Sequence, residues 1–360
     1  MPLCLIGVNS SANLRLRSVP IGQTIGNLCA MDLAQEASDA DYSATFHKVR
    51  STLTGANLRY LDFVRSLRPN YRKVLLDIAL GHAMLVVAML AVVALAALGV
   101  HPLVASLIGA ILVGYWIAYL QLFLHEGAHY NLAPDRVRSD LFCDFAVGWL
   151  VGTAVSQYRT VHFQHHRALG TVDDTEISYF FPLNTLFLLK SLVGWRVLEV
   201  FALRARYLQG VPQRKKSSGS PRRGLVPLAG IAIHLSIVAG TYLIAGWPTA
   251  LAWVIGVGIA FPFFGALRQM LEHRDENAPA DRDFRKTNHG AYTRVFGDGP
   301  FASTFGGAGF NRHLLHHWEP QVSYTNLRAL EAFLMETEMS SIIELRRSKY
   351  RTTLLKLLSL

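Results

Sequence analysis

Four stretches of this chain stay apolar without a charged residue: Ile78 to Val100, Leu103 to Leu124, Leu225 to Trp247 and Thr249 to Leu267. A helix of about 20 apolar residues crosses the hydrocarbon core of a bilayer, so each stretch is a candidate span. The links within the two pairs are very short, His101–Pro102 in one and Pro248 in the other. Links that short turn the second helix back on the first, which predicts two transmembrane hairpins. Two further apolar stretches are weaker. Leu141 to Val155 has 15 residues, too few for an easy crossing. Phe180 to Leu203 carries Lys190, Arg196 and Glu199, which are costly at mid-bilayer. Both are expected to lie in the interface as amphipathic helices, with an extra pair of spans as the alternative. Residues 1–40 read as a poorly ordered polar leader without the basic start and apolar core of a signal peptide, and Met31 is an alternative start. The expected fold is therefore an all-α integral membrane protein, with residues 41–360 as one domain of four spans, interfacial helices and a histidine-rich helical cap.

Composition supports the membrane. Charged residues make up 17% of the chain, against about 25% in soluble domains. The net charge of +10 would also suit nucleic acid, so its distribution matters. All 35 Lys and Arg residues fall outside the four spans and their short links: 9 before Ile78, 13 between Leu124 and Leu225, and 13 after Leu267. They share one side of the membrane, and the positive-inside rule makes that side cytoplasmic, with both termini there. The basic excess then reflects topology and attraction to anionic lipid, not nucleic-acid binding. The run Arg214 to Gly224 reads as a flexible juxtamembrane loop. Cys4, Cys29 and Cys143 form no CxxC motif and no disulfide framework, which fits a reducing compartment.

The chemistry is carried by histidine. Eight of the 14 fall in three groups: His125 and His129 in HEGAH, His162, His165 and His166 in HFQHH, and His313, His316 and His317 in HLLHH. His273 stands alone in RQMLEH, about two turns beyond the fourth span. On a helix, residues three and four apart share a face, so HxxxH and HxxHH each offer several imidazoles to one place. Every group lies just beyond a span or in a loop on the same side. Nine converging imidazoles would saturate two metal ions and leave room for water or an oxygen species. Imidazole suits iron, copper, zinc and nickel alike, so the ligands alone do not name the metal. His82 and His234 within spans, and His47, His101 and His289, are expected to pack or to hydrogen-bond without metal.

The boxes H125EGAH129, H162FQHH166 and H313LLHH317, with His273 as a further ligand and two hairpins between them, resemble the membrane fatty-acid desaturase superfamily. The resemblance runs from about Ile78 to the end of the third box. The three-residue gap in the first box resembles the acyl-lipid and carotenoid branches more than the acyl-CoA branch. The resemblance implies two iron ions in a non-haem centre, O2 as co-substrate and removal of hydrogen from an unactivated C–H bond of a lipid or acyl substrate. No haem-binding module is visible, so electrons would come from a separate donor of the ferredoxin or cytochrome b5 type. Gln269, one turn before His273, resembles in position an amide that holds a metal-bound water in that family.

A ligating imidazole usually donates its other N–H to an acceptor. Glu126, Glu272, Asp144, Asp173 and Asp174 are the candidates, with ion pairing to Arg159 or Arg268 as the competing role. Asn311 is a candidate for similar work beside the last box, or for capping a loop. The same centre would also serve a hydroxylase or a carotenoid ketolase. A metal transporter would place its ligands at mid-membrane, and a structural zinc site would need only four ligands, commonly with cysteine. The histidine pattern argues against both.

Overall fold

A computed structural model describes residues 42–195, 198, 199, 202, 222–276, 278, 284–286 and 292–358. Two short helices, α1 (Ser43–Val49) and α2 (Tyr60–Ser66), precede the first hairpin, α3 (Tyr71–Ala97) and α4 (Pro102–Ala128). Next, α5 starts as Arg136–Cys143 and continues through a π-helical turn, Asp144–Gly148, into Trp149–Val151. After α6 (Val155–Ala168) and α7 (Thr185–Leu192) comes the second hairpin, α8 (Gly224–Ala245) and α9 (Trp247–His273). The cap is completed by α10 (Pro300–Phe305), α11 (His313–Trp318), α12 (Leu327–Leu334), α13 (Ser340–Leu345) and α14 (Tyr350–Leu358). Among the described residues the only strand pairing is Thr54–Gly55 with Leu58–Arg59 and one isolated bridge.

The hydropathy pattern and the fold agree on class: α3, α4, α8 and α9 are long and apolar enough to cross a membrane. Their starts are capped in the usual ways. The Asn70 side chain accepts from Lys73 N at the head of α3, and His101 Nδ1 accepts from Leu103 N beside Pro102 at the head of α4. Helix α4 is the central one, buried along most of its length, whereas α8 exposes Leu225, Leu228, Ile231 and Leu235 on the face expected to meet lipid. Helices α4 and α9 cross at Gly114, where a Cβ would lie 2.6 Å from Phe261 N. A glycine there lets the two backbones touch.

Two expectations about element ends need correcting. Helix α4 does not stop at Leu124, and α9 does not stop at Leu267. Both continue unbroken to Ala128 and His273, because the polar residues after the apolar run are themselves buried by the cap. His125 and His273 are thus in the spans' last turns rather than beyond them.

The stretch Leu141 to Val155 packs against both hairpins. Its tip inserts between α3 and α8: His82 Nε2 meets the Ala146 carbonyl at 2.8 Å, and His234 Nε2 meets the Leu150 carbonyl at 3.1 Å. Trp253 Nε1 donates to His234 Nδ1 at 3.1 Å, which leaves Nε2 with the proton for Leu150. Each of these two carbonyls thus meets an imidazole carried by a candidate span. The two imidazoles do hydrogen-bond rather than join the histidine cluster. In the second weak stretch, α7 exposes Leu186, Leu189 and Leu192, and Lys190 pairs with Glu199 at 2.6 Å. Arg196 and most of the basic run Arg214 to Gly224 lie outside the described residues, as do residues 1–40.

Gly114→Ala should force α4 and α9 apart at a cost of about 1–3 kcal/mol and lower the melting temperature in detergent. Gly240→Ala in α8, where a Cβ meets nothing within 4 Å, should leave it unchanged or slightly raised. Indistinguishable melting of the two variants would refute the tight crossing.

Candidate metal centre

Four helices deliver the imidazoles. His125 lies in the last turn of α4 and His129 is the residue that ends it; α6 carries His162, His165 and His166; α9 ends on His273; α11 carries His313, His316 and His317. The structure brings all nine together beneath the cap. They sort into two groups whose ring nitrogens lie within 4.8 Å of one another: His125, His129, His162, His166 and His316 in one, His165, His273, His313 and His317 in the other. All are buried except His166, which is half-buried. The groups abut, with the His166 and His317 rings 4.6 Å apart.

Each HxxHH motif is split between the groups. In α6 the i,i+4 pair His162 and His166 faces one group while His165 faces the other; in α11 the pair His313 and His317 faces the second group and His316 the first. The 100° step per residue of a helix sends the i+3 side chain to the neighbouring site. HxxHH is thus a two-centre motif, and a single turn serves both.

Hydrogen bonds at the far side of the rings orient them. His273 Nδ1 donates to the Tyr292 carbonyl at 2.9 Å, and since a carbonyl only accepts, His273 Nε2 carries a lone pair. The His165 Nδ1–H meets Asp174 at 2.8 and 3.0 Å, and His162 Nδ1 meets Glu176 at 3.3 Å. Their Nε2 atoms turn inward. His162 Nε2 lies 2.9 Å from both His129 Nε2 and His166 Nε2, and His313 Nε2 lies 3.0 Å from His273 Nε2 and 3.2 Å from His317 Nε2. Both ring nitrogens of His125 are buried without a hydrogen-bond partner among the described residues. The Nε2 atoms of His162 and His273, each fixed by an acceptor at Nδ1, offer lone pairs to this space, and a cation there could be shared by several imidazoles. The donor set therefore fits two imidazole-bound metal ions, and the carboxylate and carbonyl partners are those that ligating histidines require.

The two ligand-bearing helix ends are themselves capped. Arg159 donates to the Ala128 carbonyl at 2.7 Å and the Gly127 carbonyl at 3.0 Å, and pairs with Asp140. Arg294 donates to the carbonyls of Leu271 at 2.8 Å and Arg274 at 2.7 Å. Helix α11 is held by Arg312, which reaches Glu331 at 2.6 Å and Asp298 at 2.9 Å, and by Trp318 stacked 4.9 Å from Phe46 of α1. The Asp144 carboxylate accepts from Val155 N at 2.7 Å and so starts α6.

The carboxylates singled out in the sequence take different places. Asp174 is the one at an imidazole, and it also accepts from the Tyr179 hydroxyl at 2.6 Å; Asp173 is exposed. Glu126 is buried and accepts from Tyr324 N at 3.2 Å, tying the first box to the loop after the third. Glu272 is buried, makes no hydrogen bond among the described residues and has Arg268 Nε at 3.6 Å. Asn311 donates to the Gly297 carbonyl at 2.8 Å and braces its loop. Gln269 donates to Glu176 Oε2 at 2.8 Å. Glu176, which links Gln269 to His162, was missed; the acidic run Asp173–Asp174–Thr175–Glu176 after the second box was its signal. Arg294 and Tyr292 left none.

A cavity of about 470 Å³ adjoins the first group. His125, Glu176 and Gln269 line it near the histidines, and Phe261, Phe263 and Val151 line it further along. Against known proteins, residues 101–340 match the model of the family described as fatty acid desaturase. The chain belongs to the fatty acid desaturase family. The match takes in all three histidine boxes and His273. Comparison with curated proteins gives no match. As a fatty acid desaturase family member it is a membrane oxidoreductase of the desaturase or hydroxylase type acting on lipid or acyl substrates.

Asp174→Asn in this desaturase-family protein should weaken metal binding about 10- to 100-fold with the fold intact, as read by metal content against chelator concentration. Unchanged retention would show that Asp174 does not tune His165.

Burial, with the neighbouring imidazoles adding to it, holds His166, His313, His316 and His317 well below the usual histidine range. The unfolded chain takes up those protons near pH 6.5, and the folded chain only at lower pH. The metal-free fold should keep its full stability above about pH 6.5 and lose it as pH falls through the depressed values. Melting of chelator-treated protein checks this; a flat profile on the acid side would contradict it.

Proposed function

We propose that the nine histidines hold two iron ions and that the protein uses O2 to introduce a double bond into a fatty acyl chain of a lipid or carrier-bound substrate. The sorting of the imidazoles into two abutting groups beside a cavity carries this reading. His125, His129, His162, His166 and His316 would ligate one ion; His165, His273, His313 and His317 would ligate the other. The second set, with one imidazole fewer, is the natural place for an open position. When bound, the irons supply the redox chemistry that breaks an unactivated C–H bond. In balance, a –CH2–CH2– unit, O2, two electrons and two protons give –CH=CH– and two waters. An external one-electron carrier, of the ferredoxin or cytochrome b5 type, supplies the two electrons.

The chain's own residues orient and exclude. Asp174, Glu176 and the Tyr292 carbonyl fix ring tautomers, so that each Nε2 is presented as a lone pair. Burial of eight of the nine imidazoles keeps bulk water from the reacting carbons. Phe261, Phe263, Val151 and Val161 give the substrate chain an apolar wall, and Gln269 and Glu176 form the polar end beside His125. The membrane orientation follows the basic residues: both termini and the histidine cluster are cytoplasmic. Hydroxylation would use the same centre and the same two electrons, and ketolation two such rounds with four electrons, but each leaves oxygen in the product. Metal transport fits poorly, since the clustered ligands sit at helix ends rather than at mid-span.

Elemental analysis with Mössbauer spectroscopy on the purified, reconstituted protein should find about two irons per chain in a coupled, nitrogen-rich site. Lipid from expressing cells should contain a product lighter by two hydrogens. His165→Ala or His316→Ala should lower the iron and abolish the product while the protein still inserts. A single zinc, or no bound metal, would overturn the iron assignment; a product heavier by one oxygen would replace desaturation by hydroxylation.

A further inference from the structure

The α5–α6 turn, Val151, Gly152 and Thr153, forms part of the cavity wall. Gly152 is exposed, adopts φ of 70°, and a Cβ built on it would meet nothing within 4 Å. Among the described residues the wall is open at that point. The turn also lies deep. Just before it, the Ala146 and Leu150 carbonyls bond to His82 and His234. Those residues stand four and nine positions past the first apolar residues of their spans, Ile78 and Leu225, or about 6 and 14 Å along the helix axes. On α9, Phe263 and Phe261 of the same cavity stand about 6 and 9 Å inside Leu267. Ser191 of α7 completes the rim, on a helix whose Leu186, Leu189 and Leu192 are exposed. The half-thickness of the hydrocarbon core is about 15 Å, so the opening is framed by residues at hydrocarbon depth.

The charges argue the same way. A soluble thioester carries a phosphate-rich carrier that needs free cations at the mouth. Among the described residues Arg268 is the one Lys or Arg lining this cavity; it is buried, donates to the Ala118 carbonyl at 3.1 Å and has Glu272 at 3.6 Å. Lys190, next to Ser191, is paired with Glu199.

Resting on the oxidase reading of the histidine cluster, we infer that the cavity opens sideways into the bilayer through a portal between the Val151–Thr153 turn, α7 and Phe263, and that its substrate is an acyl chain of a lipid already resident in the membrane. The chain slides in from the leaflet, and its reacting carbons come to rest beside His125. The carbonyl bonds from His82 and His234 hold the portal's wall at that depth.

Two readouts test this in the full chain. The first needs no turnover: protein in nanodiscs of phosphatidylcholine with a diazirine on one acyl chain is photolysed and its labelled peptides are mapped. Labels are expected within 151–153 and 261–269. Gly152→Trp, and Thr153→Trp as a variant that keeps the left-handed glycine, should each cut labelling of 261–269 at least fivefold while leaving that of lipid-facing α8 unchanged; the melting temperature should fall for Gly152→Trp, whose backbone is left-handed, and stay unchanged for Thr153→Trp. The second compares conversion of dipalmitoyl phosphatidylcholine in nanodiscs with that of palmitoyl-CoA by iron-loaded protein. The lipid should be converted faster, and both variants should slow it about tenfold. Faster conversion of palmitoyl-CoA that neither variant slows, or cavity labelling that survives both variants, would overturn the portal. No conversion of either substrate, with portal-dependent labelling intact, would instead overturn the oxidase reading and leave the portal standing.

Discussion

Two guanidinium groups hold the helix ends on which the candidate centre is built. An α-helix leaves its last carbonyls without partners, and a buried acceptor left unpaired is costly. Arg159 takes the carbonyls of Gly127 and Ala128, and Arg294 those of Leu271 and Arg274. Each is a cation at the negative end of a helix dipole, the favourable sign. With its end closed in this way, α4 can place His125 and His129 at its terminus without fraying, and α9 can place His273 on its last residue. The short helices α6 and α11 are then packed against fixed points.

The sharing of turns is the second economy of the design. Each HxxHH turn feeds both groups, so two helical turns supply six of the nine imidazoles. The arrangement leaves the metal-free protein with His125 ring nitrogens that are buried and have no hydrogen-bond partner among the described residues. A bound cation removes that penalty, which couples metal binding to the stability of the cap. Asp174, Glu176 and the Tyr292 carbonyl work in the opposite direction from the rim, each fixing one ring so that its free nitrogen points inward.

The membrane and the site meet at the tip of α5. A helix of that length cannot cross a bilayer, and its tip packs against two candidate spans. His82 and His234 supply the hydrogen bonds from those spans. The turn so anchored is also a wall of the cavity, so the two histidines outside the cluster still bear on what the cluster can reach.

The sequence by itself determined the class of the fold and the inventory of the site. Apolar runs of span length, the two short links and the one-sided basic residues are local or additive properties, and eight of the nine histidines declare themselves by spacing, while His273 stands alone. Where each helix ended was not readable: hydropathy marks the limit of apolar residues, while α4 and α9 run on because the cap buries the polar turns that follow. The packing of Leu141 to Val155 was hidden for a related reason, since it depends on His82 and His234, far off in the chain. The choice of Asp174 over its neighbour Asp173, the role of Glu176, the capping by Arg294 and the division of nine imidazoles into five and four were decided only by tertiary structure. Each depends on the direction in which a side chain leaves a packed helix or loop, and that direction is set by contacts between residues remote in sequence.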